Sequence, residues 1–129
     1  MVSTKGRYAL RVMIDLAEHG GEGYIPLKEV AERQEISKKY LEIIVKELIK
    51  GKMRLGGRGG GYKLCRQPEE YSVGEILELM EGSLATVACL SKDATPCSRA
   101  STCKTLPMWA EFDKMVHDYF YGKTLEDLL

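Results

Sequence analysis

A glycine-rich run directly after an amphipathic helical pattern is the feature that most constrains the fold of this chain. Across residues 37–50 the apolar residues recur at the spacing of a helix with one buried side: Leu41, Ile44, Val45, Leu48 and Ile49. Five of the six residues at 56–61 are glycine, which leaves the backbone there nearly free of side-chain restraint. The sequence therefore predicts a hairpin tip or loop at 56–61, with short strands at 52–55 and 62–65.

Two more helices precede this segment. The first is indicated by apolar residues at i, i+3, i+4, i+7 and i+8, namely Ala9, Val12, Met13, Leu16 and Ala17. Ser3 or Thr4 would cap its start, and the glycine pair at 20–21 would end it. Residues 26–34 predict a short second helix, and residues 35–37 a tight turn into the third. This order is that of a helix-turn-helix, and a hairpin placed after it is the wing of a winged helix.

Charge is divided unevenly along a chain whose formal net charge is zero. Residues 1–65 carry 13 Lys and Arg against 8 Asp and Glu, whereas residues 66–129 carry 6 against 11. Eight of the basic residues fall within 37–63, on the third helix and the hairpin. A basic half that can meet phosphate is thus joined to an acidic half that would avoid it, which predicts a DNA-binding module in the first half.

Residues near the N-terminus of the third helix would face base edges in the major groove, as in other helix-turn-helix proteins. These candidates are Ser37, Lys38, Lys39, Tyr40 and Glu42. Arg58, set among glycines, would enter a minor groove, where negative potential favours arginine. The candidates for contacts to the DNA backbone are Ser3, Lys5, Arg7, Tyr8 and Lys28. A single lysine on a helix exterior is more often only solvated, so the prediction depends on the whole set.

The second half predicts two helices separated by an aperiodic segment. Ser72 and Glu75 form a capping box that opens a helix with four inward residues, Val73, Ile76, Leu77 and Met80. Residues 82–101 show no periodicity. A long C-terminal helix follows, which Gly122 would stop, and its apolar side is wide and aromatic: Leu106, Trp109, Phe112, Val116, Tyr119 and Phe120. The predicted fold is mainly α with a small β-hairpin.

Three cysteines lie in or beside the aperiodic segment. Cys89, Cys97 and Cys103 have the spacing C-x7-C-x5-C, and thiolates are soft ligands suited to zinc or iron–sulfur clusters. There is no C-x2-C pair, which argues against a zinc knuckle or ribbon. Spacing alone leaves a metal site and three packed thiols equally open. Cys65 falls on a predicted wing strand, which favours a structural role for it.

The chain lacks the patterns of a membrane protein and of common enzymes. Charges interrupt its first 20 residues, and no run approaches the ~20 apolar residues of a membrane span, so we expect a cytoplasmic protein. It has no H-E-x-x-H motif, and no Lys-Ser/Thr pair follows the glycine run as in a phosphate-binding loop. We therefore expect no enzymatic activity.

Several segments, taken in order, resemble one family of bacterial winged-helix transcriptional regulators, the IscR/NsrR/CymR type. They are STKGRYALRVMIDLA, IPLKEVAERQEISKKYLEIIVKEL, RGGGYKL, YSVGEILELMEG and TLEDL. The resemblance implies a homodimer in which the long C-terminal helix crosses its partner, and binding to a near-palindromic operator in double-stranded DNA. It also implies three parts: a winged helix-turn-helix domain at 1–81, a cysteine-containing sensor loop at 82–103, and a dimerisation helix with a tail at 104–129.

The resemblance gives the cysteines a role. Cluster-binding members hold an iron–sulfur cluster, [2Fe–2S] in IscR-like members, through three cysteines at the places of Cys89, Cys97 and Cys103. IscR has a histidine three residues after the last cysteine, where this chain has Leu106. The fourth ligand is therefore open between Asp93, Ser98, a residue of the other subunit and an exogenous molecule. Such a cluster would be labile and could be lost in air.

A second departure and an alternative follow from the same resemblance. The wing is about two residues shorter than the family pattern, which leaves open whether Arg58 replaces the family's wing arginine. CymR-like members lack the three cysteines and sense through a partner protein. The expected function is therefore that of a DNA-binding transcriptional repressor whose operator binding is controlled by the iron–sulfur cluster. The alternative is a cluster-free regulator that senses through thiol oxidation, zinc or a protein partner.

Overall fold

Five α-helices and a three-stranded antiparallel sheet form the computed structural model, which describes residues 2–53, 55–91, 94–95 and 97–129. The helices are α1 (Thr4–Glu18), α2 (Leu27–Gln34), α3 (Lys38–Lys50), α4 (Val73–Glu81) and α5 (Leu106–Tyr121). The strands are β1 (Ile25–Pro26), β2 (Leu55–Arg58) and β3 (Gly61–Leu64). The predicted fold class, a winged helix-turn-helix followed by a long C-terminal helix, is confirmed.

Helix α1 begins at the predicted cap and buries the predicted side. The Ser3 hydroxyl accepts a hydrogen bond from the Gly6 N–H, and α1 ends at Glu18, before a short 3-10 turn over Gly20–Glu22. Four of the five predicted apolar residues are buried: Ala9, Val12, Met13 and Leu16. Ala17 is only half-buried, whereas Asp15, which the apolar pattern passed over, is buried with them.

The turn between α2 and α3 depends on one left-handed residue. Glu35 has φ 54°, and the N–H of the buried Ile36 reaches back to the Ala31 carbonyl at 3.1 Å. Ser37 then caps α3, since its hydroxyl accepts from the Tyr40 N–H at 3.2 Å. The core residues of α3 are Leu41, Ile44, Val45 and Leu48. The prediction that Ile49 belongs with them is wrong, because it lies at the edge of the buried side, about 80° round the helix from Leu41, and is 43% exposed.

The wing differs from its prediction in both strands and turn. Strand β2 begins at Leu55 rather than at 52, and Gly56 and Gly57 pair with β3 instead of forming a loop. The turn is the two glycines 59 and 60, with φ of 58° and 80°, the positive values that a two-residue hairpin turn needs. The six-residue loop was a wrong prediction because the hydrogen bonds of a strand ladder involve the backbone and do not require side chains.

A third strand completes the sheet, whose order is β1–β3–β2. Strand β1 pairs Ile25 with Tyr62 and Pro26 with Gly61. The Leu27 N–H, at the start of α2, donates to the Gly60 carbonyl at 3.3 Å. Strand β1 was not predicted from the sequence, because two residues are too few to show an alternating pattern. Its consequence is that the tip of the wing is held against the start of α2.

The C-terminal part folds back onto the winged-helix core. Helix α4 opens with the predicted capping box, in which the Ser72 hydroxyl accepts from the Glu75 N–H at 3.2 Å. The Leu125 N–H donates to the Tyr71 carbonyl at 3.0 Å, and Leu125 is fully buried. The Val73 N–H donates to the Lys123 carbonyl at 2.8 Å. Among the helices described, none is long and apolar enough to cross a membrane.

Candidate DNA interface and cysteine segment

The N-terminal turns of α3 carry exposed polar side chains at four of the five predicted positions. These are Ser37, Lys38, Lys39 and Glu42. The Ser37 hydroxyl uses an acceptor lone pair for its cap, which leaves its O–H free to donate to a phosphate or a base. The Lys38 ammonium lies 3.9 Å from the Glu42 carboxylate, one turn further on. This exposed ion pair contributes little to stability, so both groups remain available to a ligand.

The fifth position, Tyr40, links α3 to α1. Its half-buried ring meets the ring of Tyr8 edge to face, with centroids 5.8 Å apart and planes at 60°. The Arg11 guanidinium lies 5.2 Å from the centroid of the Tyr8 ring. Tyr8 and Tyr40, predicted from two separate segments, are therefore neighbours. Their packing fixes the start of the third helix against the first.

Two residues near the start of α1 that were predicted to contact the DNA backbone, Ser3 and Lys5, are bound to carboxylates of this chain. The Lys5 ammonium lies 3.0 Å from the Glu47 carboxylate of α3. The backbone N–H and the hydroxyl of Ser3 both donate to Glu81 of α4, at 2.7 Å each. Arg7 is exposed and donates to the Thr4 hydroxyl at 3.2 Å. A phosphate near Lys5 would therefore compete with Glu47.

Arg58, the predicted DNA contact of the wing, lies near the start of α2. Arg58 is exposed at the end of β2, opposite Gly61 in the ladder. Lys28 is exposed in the first turn of α2, next to the Leu27 N–H that holds the Gly60 carbonyl. The backbones of these two predicted DNA contacts thus lie at one end of the sheet. Neither residue was expected to be near the other from the sequence.

A buried carboxylate that the sequence analysis missed ties α1 to α2. Asp15 is 1% exposed, and Arg33 binds it through two hydrogen bonds, Nη2 to Oδ1 at 2.7 Å and Nε to Oδ2 at 3.0 Å. The Gln34 amide donates to Asp15 Oδ2 at 3.0 Å, and Arg11 donates to the Gln34 side-chain oxygen at 3.1 Å. The sequence feature that could have revealed this contact is the position of an acidic residue, Asp15, on the apolar side of a predicted helix.

The pKa of Asp15 reflects this setting. Burial by itself would raise the pKa of the carboxyl, because water can no longer solvate the charged form. The hydrogen bonds from Arg33 and Gln34, with the charges of Arg33 and His19, outweigh burial and hold the pKa below its ordinary value. Asp15 is therefore ionised at neutral pH. It fixes the orientation of α2, and through α2 that of the turn into α3.

All four cysteines carry free thiols. Cys89, in a 3-10 turn over Ala88–Leu90, and Cys97 are exposed, whereas Cys103 is half-buried. Cys65 is exposed directly after the end of β3, so its predicted place within a wing strand is wrong. Both strands lie closer to the turn than predicted, because the turn is only two residues long.

Cys103 stands just before the N-terminus of α5. Its sulfur lies 3.4 Å from the Thr105 hydroxyl. Hydrogen bonds from the Thr105 side chain, and then from the backbone of Thr105 and Leu106, lower the pKa of the thiol. This arrangement favours the thiolate, which is the form that binds metals and reacts with oxidants.

In the part of the chain that the structure describes, the cysteine side chains do not lie together as a complete set of metal ligands. Within 2–53, 55–91, 94–95 and 97–129, no group of three or more His, Cys, Asp or Glu side chains is placed to hold a metal ion. Of the predicted fourth ligands, Ser98 is exposed and Asp93 lies outside the described residues. The donor chemistry nevertheless fits an iron–sulfur cluster, since three cysteines that form no disulfide share one short segment.

Comparison with known proteins identifies the family. A family described as Rrf2, iron-dependent transcriptional regulator, matches residues 2–129. The chain belongs to the Rrf2 family. It is 33% identical to the HTH-type transcriptional regulator IscR of Aliivibrio salmonicida over 130 residues, which span 99% of this chain and 76% of that protein.

Solved structures agree with this placement. CymR, the global cysteine regulator of B. subtilis, superposes with a TM-score of 0.79 at 35% identity, over 99% of this chain and 94% of that one. IscR of T. potens gives a TM-score of 0.72 at 32% identity, over 99% and 85%. The resemblance seen in the sequence is therefore confirmed, and this Rrf2 protein is a transcriptional regulator. The roles of the individual DNA-contact and cysteine residues stay predictions.

Helix α5 of this Rrf2 protein presents an apolar side that no described residue covers. Five large apolar side chains on this side are between 36% and 63% exposed: Met108, Trp109, Phe112, Met115 and Tyr119. No residue of α5 is buried. The helix is connected to the cysteine segment through Asp113, which accepts from the Thr86 N–H at 2.9 Å and from its hydroxyl at 3.3 Å.

Proposed function

We propose that this chain is a homodimeric, sequence-specific DNA-binding repressor whose operator affinity is controlled by an iron–sulfur cluster, [2Fe–2S], held by Cys89, Cys97 and Cys103. The observation that carries the proposal is the position of the three free thiols. They lie on the one segment that joins the winged helix to α5, and two of them are exposed. A group bound there would bear on the relative placement of the two parts.

The dimer is supported by the exposed side of α5. Five large apolar side chains on one side of a helix are more than scattered surface residues, and a contiguous apolar surface of this kind marks an interaction site. A second copy would cover it with the same surface, as a twofold interface requires. Two α3 helices would then enter successive major grooves about 34 Å apart, on a near-palindromic operator.

The DNA-facing chemistry comes from this chain's own residues. Lys38, Lys39 and Arg58 would neutralise phosphates or reach base edges, and Glu42 would accept from a cytosine N4 amine. Binding through about four to six phosphates per subunit would make operator affinity fall steeply as salt is raised. The paired Tyr8 and Tyr40 rings would keep the start of α3 in place.

The cluster would supply a link between the three thiolates that responds to iron supply and oxidation. Cys103 is prepared for this role by its lowered pKa. The contact between Thr86 and Asp113 holds the segment that leads to Cys89 against α5. Loss of the cluster would release the cysteine segment and change the relative positions of the two α3 helices in the dimer.

Operator binding by cysteine variants tests the proposal. Anaerobically purified wild-type protein is compared with the triple variant Cys89→Ala, Cys97→Ala, Cys103→Ala on an operator selected from random DNA. The single variant Cys65→Ala, an exposed thiol outside the segment, is the matched control. We expect altered affinity in the triple variant and wild-type affinity in the control. Identical isotherms for all three proteins would contradict control by the cysteines.

A second candidate is a cluster-free regulator that senses through thiol oxidation, zinc or a protein partner. It is favoured by the absence of a gathered ligand group in the part of the chain that the structure describes. The lowered pKa of Cys103 would also promote oxidation. Mass spectrometry after mild peroxide treatment separates the two candidates. Reversible oxidation that changes operator affinity in an iron-free protein would favour the second.

A further inference from the structure

One apolar residue of α3 takes no part in the core. Ile43 is 49% exposed, although the helix already buries Leu41, Ile44, Val45 and Leu48 almost completely. The inner side of α3 is therefore filled without it. An isolated exposed apolar residue is ordinary on a protein surface, so its meaning depends on its neighbours.

The neighbours of Ile43 on the helix surface are mostly charged. Residues three and four apart adjoin each other on a helix surface, so the exposed Lys39 and Lys46 lie at i−4 and i+3 of Ile43. The other two neighbours are Tyr40 at i−3, which packs on Tyr8, and Glu47 at i+4, which is paired with Lys5. Ile43 is the sixth residue of α3 and lies about 7.5 Å along the axis from its start. It is thus within the turns of a recognition helix that reach base edges, between two cations suited to phosphates.

We propose that Ile43 determines specificity by packing against the C5-methyl group of a thymine in the major groove. This inference rests on the proposed DNA binding and adds a base that the operator must contain. The thymine methyl is the only apolar group that the four base pairs present in that groove, and apolar side chains contact it. A β-branched side chain on a helix has one strongly preferred rotamer, so Ile43 is already held in position before DNA arrives.

Deoxyuridine tests this contact, because it differs from thymidine only by lacking the methyl group. An operator is first selected with wild-type protein, and each thymine of the half-sites is then replaced by deoxyuridine in turn. We expect one position per half-site to weaken wild-type binding about fourfold, which corresponds to the ~0.8 kcal/mol of one buried methyl group. Replacement in both half-sites should weaken it about 16-fold, because the two contacts are independent.

The variants assign the effect to Ile43. Ile43→Ala should bind the thymine and deoxyuridine operators equally, and Ile43→Val should show an intermediate loss. Ile49→Ala removes the other exposed isoleucine of α3, which lies on a different side of the helix, and should keep the full wild-type sensitivity. Ile43→Val also serves if Ile43→Ala binds too weakly to be compared.

Three results would overturn the inference: a wild-type protein insensitive to deoxyuridine everywhere, an Ile43→Ala variant as sensitive as wild type, or selected half-sites without thymine. Failure of the proposed function is distinguishable from these. In that case wild-type protein would select no sequence at all, and its weak DNA binding would not depend on Lys38 or Lys39.

Discussion

At the scale of single residues, Asp15 is a buried carboxylate whose burial the apolar pattern of the sequence does not predict. Asp15 lies among the apolar residues of α1, yet its side chain is bound by Arg33 and Gln34 of α2. A periodicity argument reads position 15 as an interruption, because it has no means of knowing that a cation from another helix will meet it. The exposure of Lys38, Lys39 and Glu42 could be predicted, because the apolar spacing of α3 determines which of its residues face outward.

Removing the cation should destabilise the fold. Arg33→Ala leaves the buried Asp15 charge without its main partner, and we expect the free energy of unfolding to fall by about 3 kcal/mol. Urea denaturation followed by circular dichroism measures it. Lys28→Ala, an exposed cation on the same helix, is the control and should change stability by less than about 0.5 kcal/mol. Equal stabilities for the two variants would show that the pair does not hold α2.

The same carboxylate gives a pH dependence whose sign is fixed. Because the pKa of Asp15 is lower in the folded chain than its ordinary 3.8, ionisation stabilises the fold above that value. The contribution is lost as pH falls through the folded-state pKa. Urea unfolding between about pH 6 and about pH 3 should therefore show a steeper loss for wild type than for Asp15→Asn. Parallel curves for the two proteins would contradict the assignment.

At the scale of elements, the helices and the existence of the hairpin were predictable, whereas the third strand and the exact strand bounds were not. The apolar spacing of α1 and α3 and the capping box of α4 each reflect local interactions that a sequence displays directly. Strand β1 has only two residues, and its pairing with β3 depends on residues at least 35 positions away along the chain, as from Pro26 to Gly61. The glycines of β2 carry no strand signal because they have no side chains.

The two-glycine turn of the wing should tolerate few substitutions. Gly60 has φ 80°, so Gly60→Ala should destabilise the protein by about 1 kcal/mol, and Gly60→Asn by less, because asparagine adopts positive φ more readily. Gly20→Ala is the control, since open space surrounds that position. Thermal unfolding compares the three variants. A Gly60→Ala protein as stable as wild type would show that the turn is not of this kind in solution.

At the scale of the whole molecule, the cysteine segment joins the winged helix to α5. The sequence predicted both parts and the three thiols between them, because family motifs run through the whole chain. It did not predict that Leu125 would return to the winged-helix core, where it is fully buried. That return comes from long-range packing, and it ties the C-terminal end of α5 to the winged-helix core.

Self-association through α5 should be sensitive to charge on its apolar side. Phe112→Glu places a carboxylate on this surface, where it would be buried unpaired in a dimer, and we expect a monomer. Light scattering coupled to size exclusion measures the mass. Lys114→Ala, an exposed change on the same helix, should leave the dimer intact. A Phe112→Glu protein that remains dimeric would place the interface elsewhere.

The most direct test of the central claim is the iron and acid-labile sulfide content of the protein purified without air, read with its visible spectrum. The account predicts about two irons and two sulfides per chain, as a [2Fe–2S] cluster has, and their loss when Cys89, Cys97 and Cys103 become alanine. A colourless, iron-free protein, even after attempted reconstitution, would contradict it. Sensing would then belong to thiol chemistry or to a protein partner.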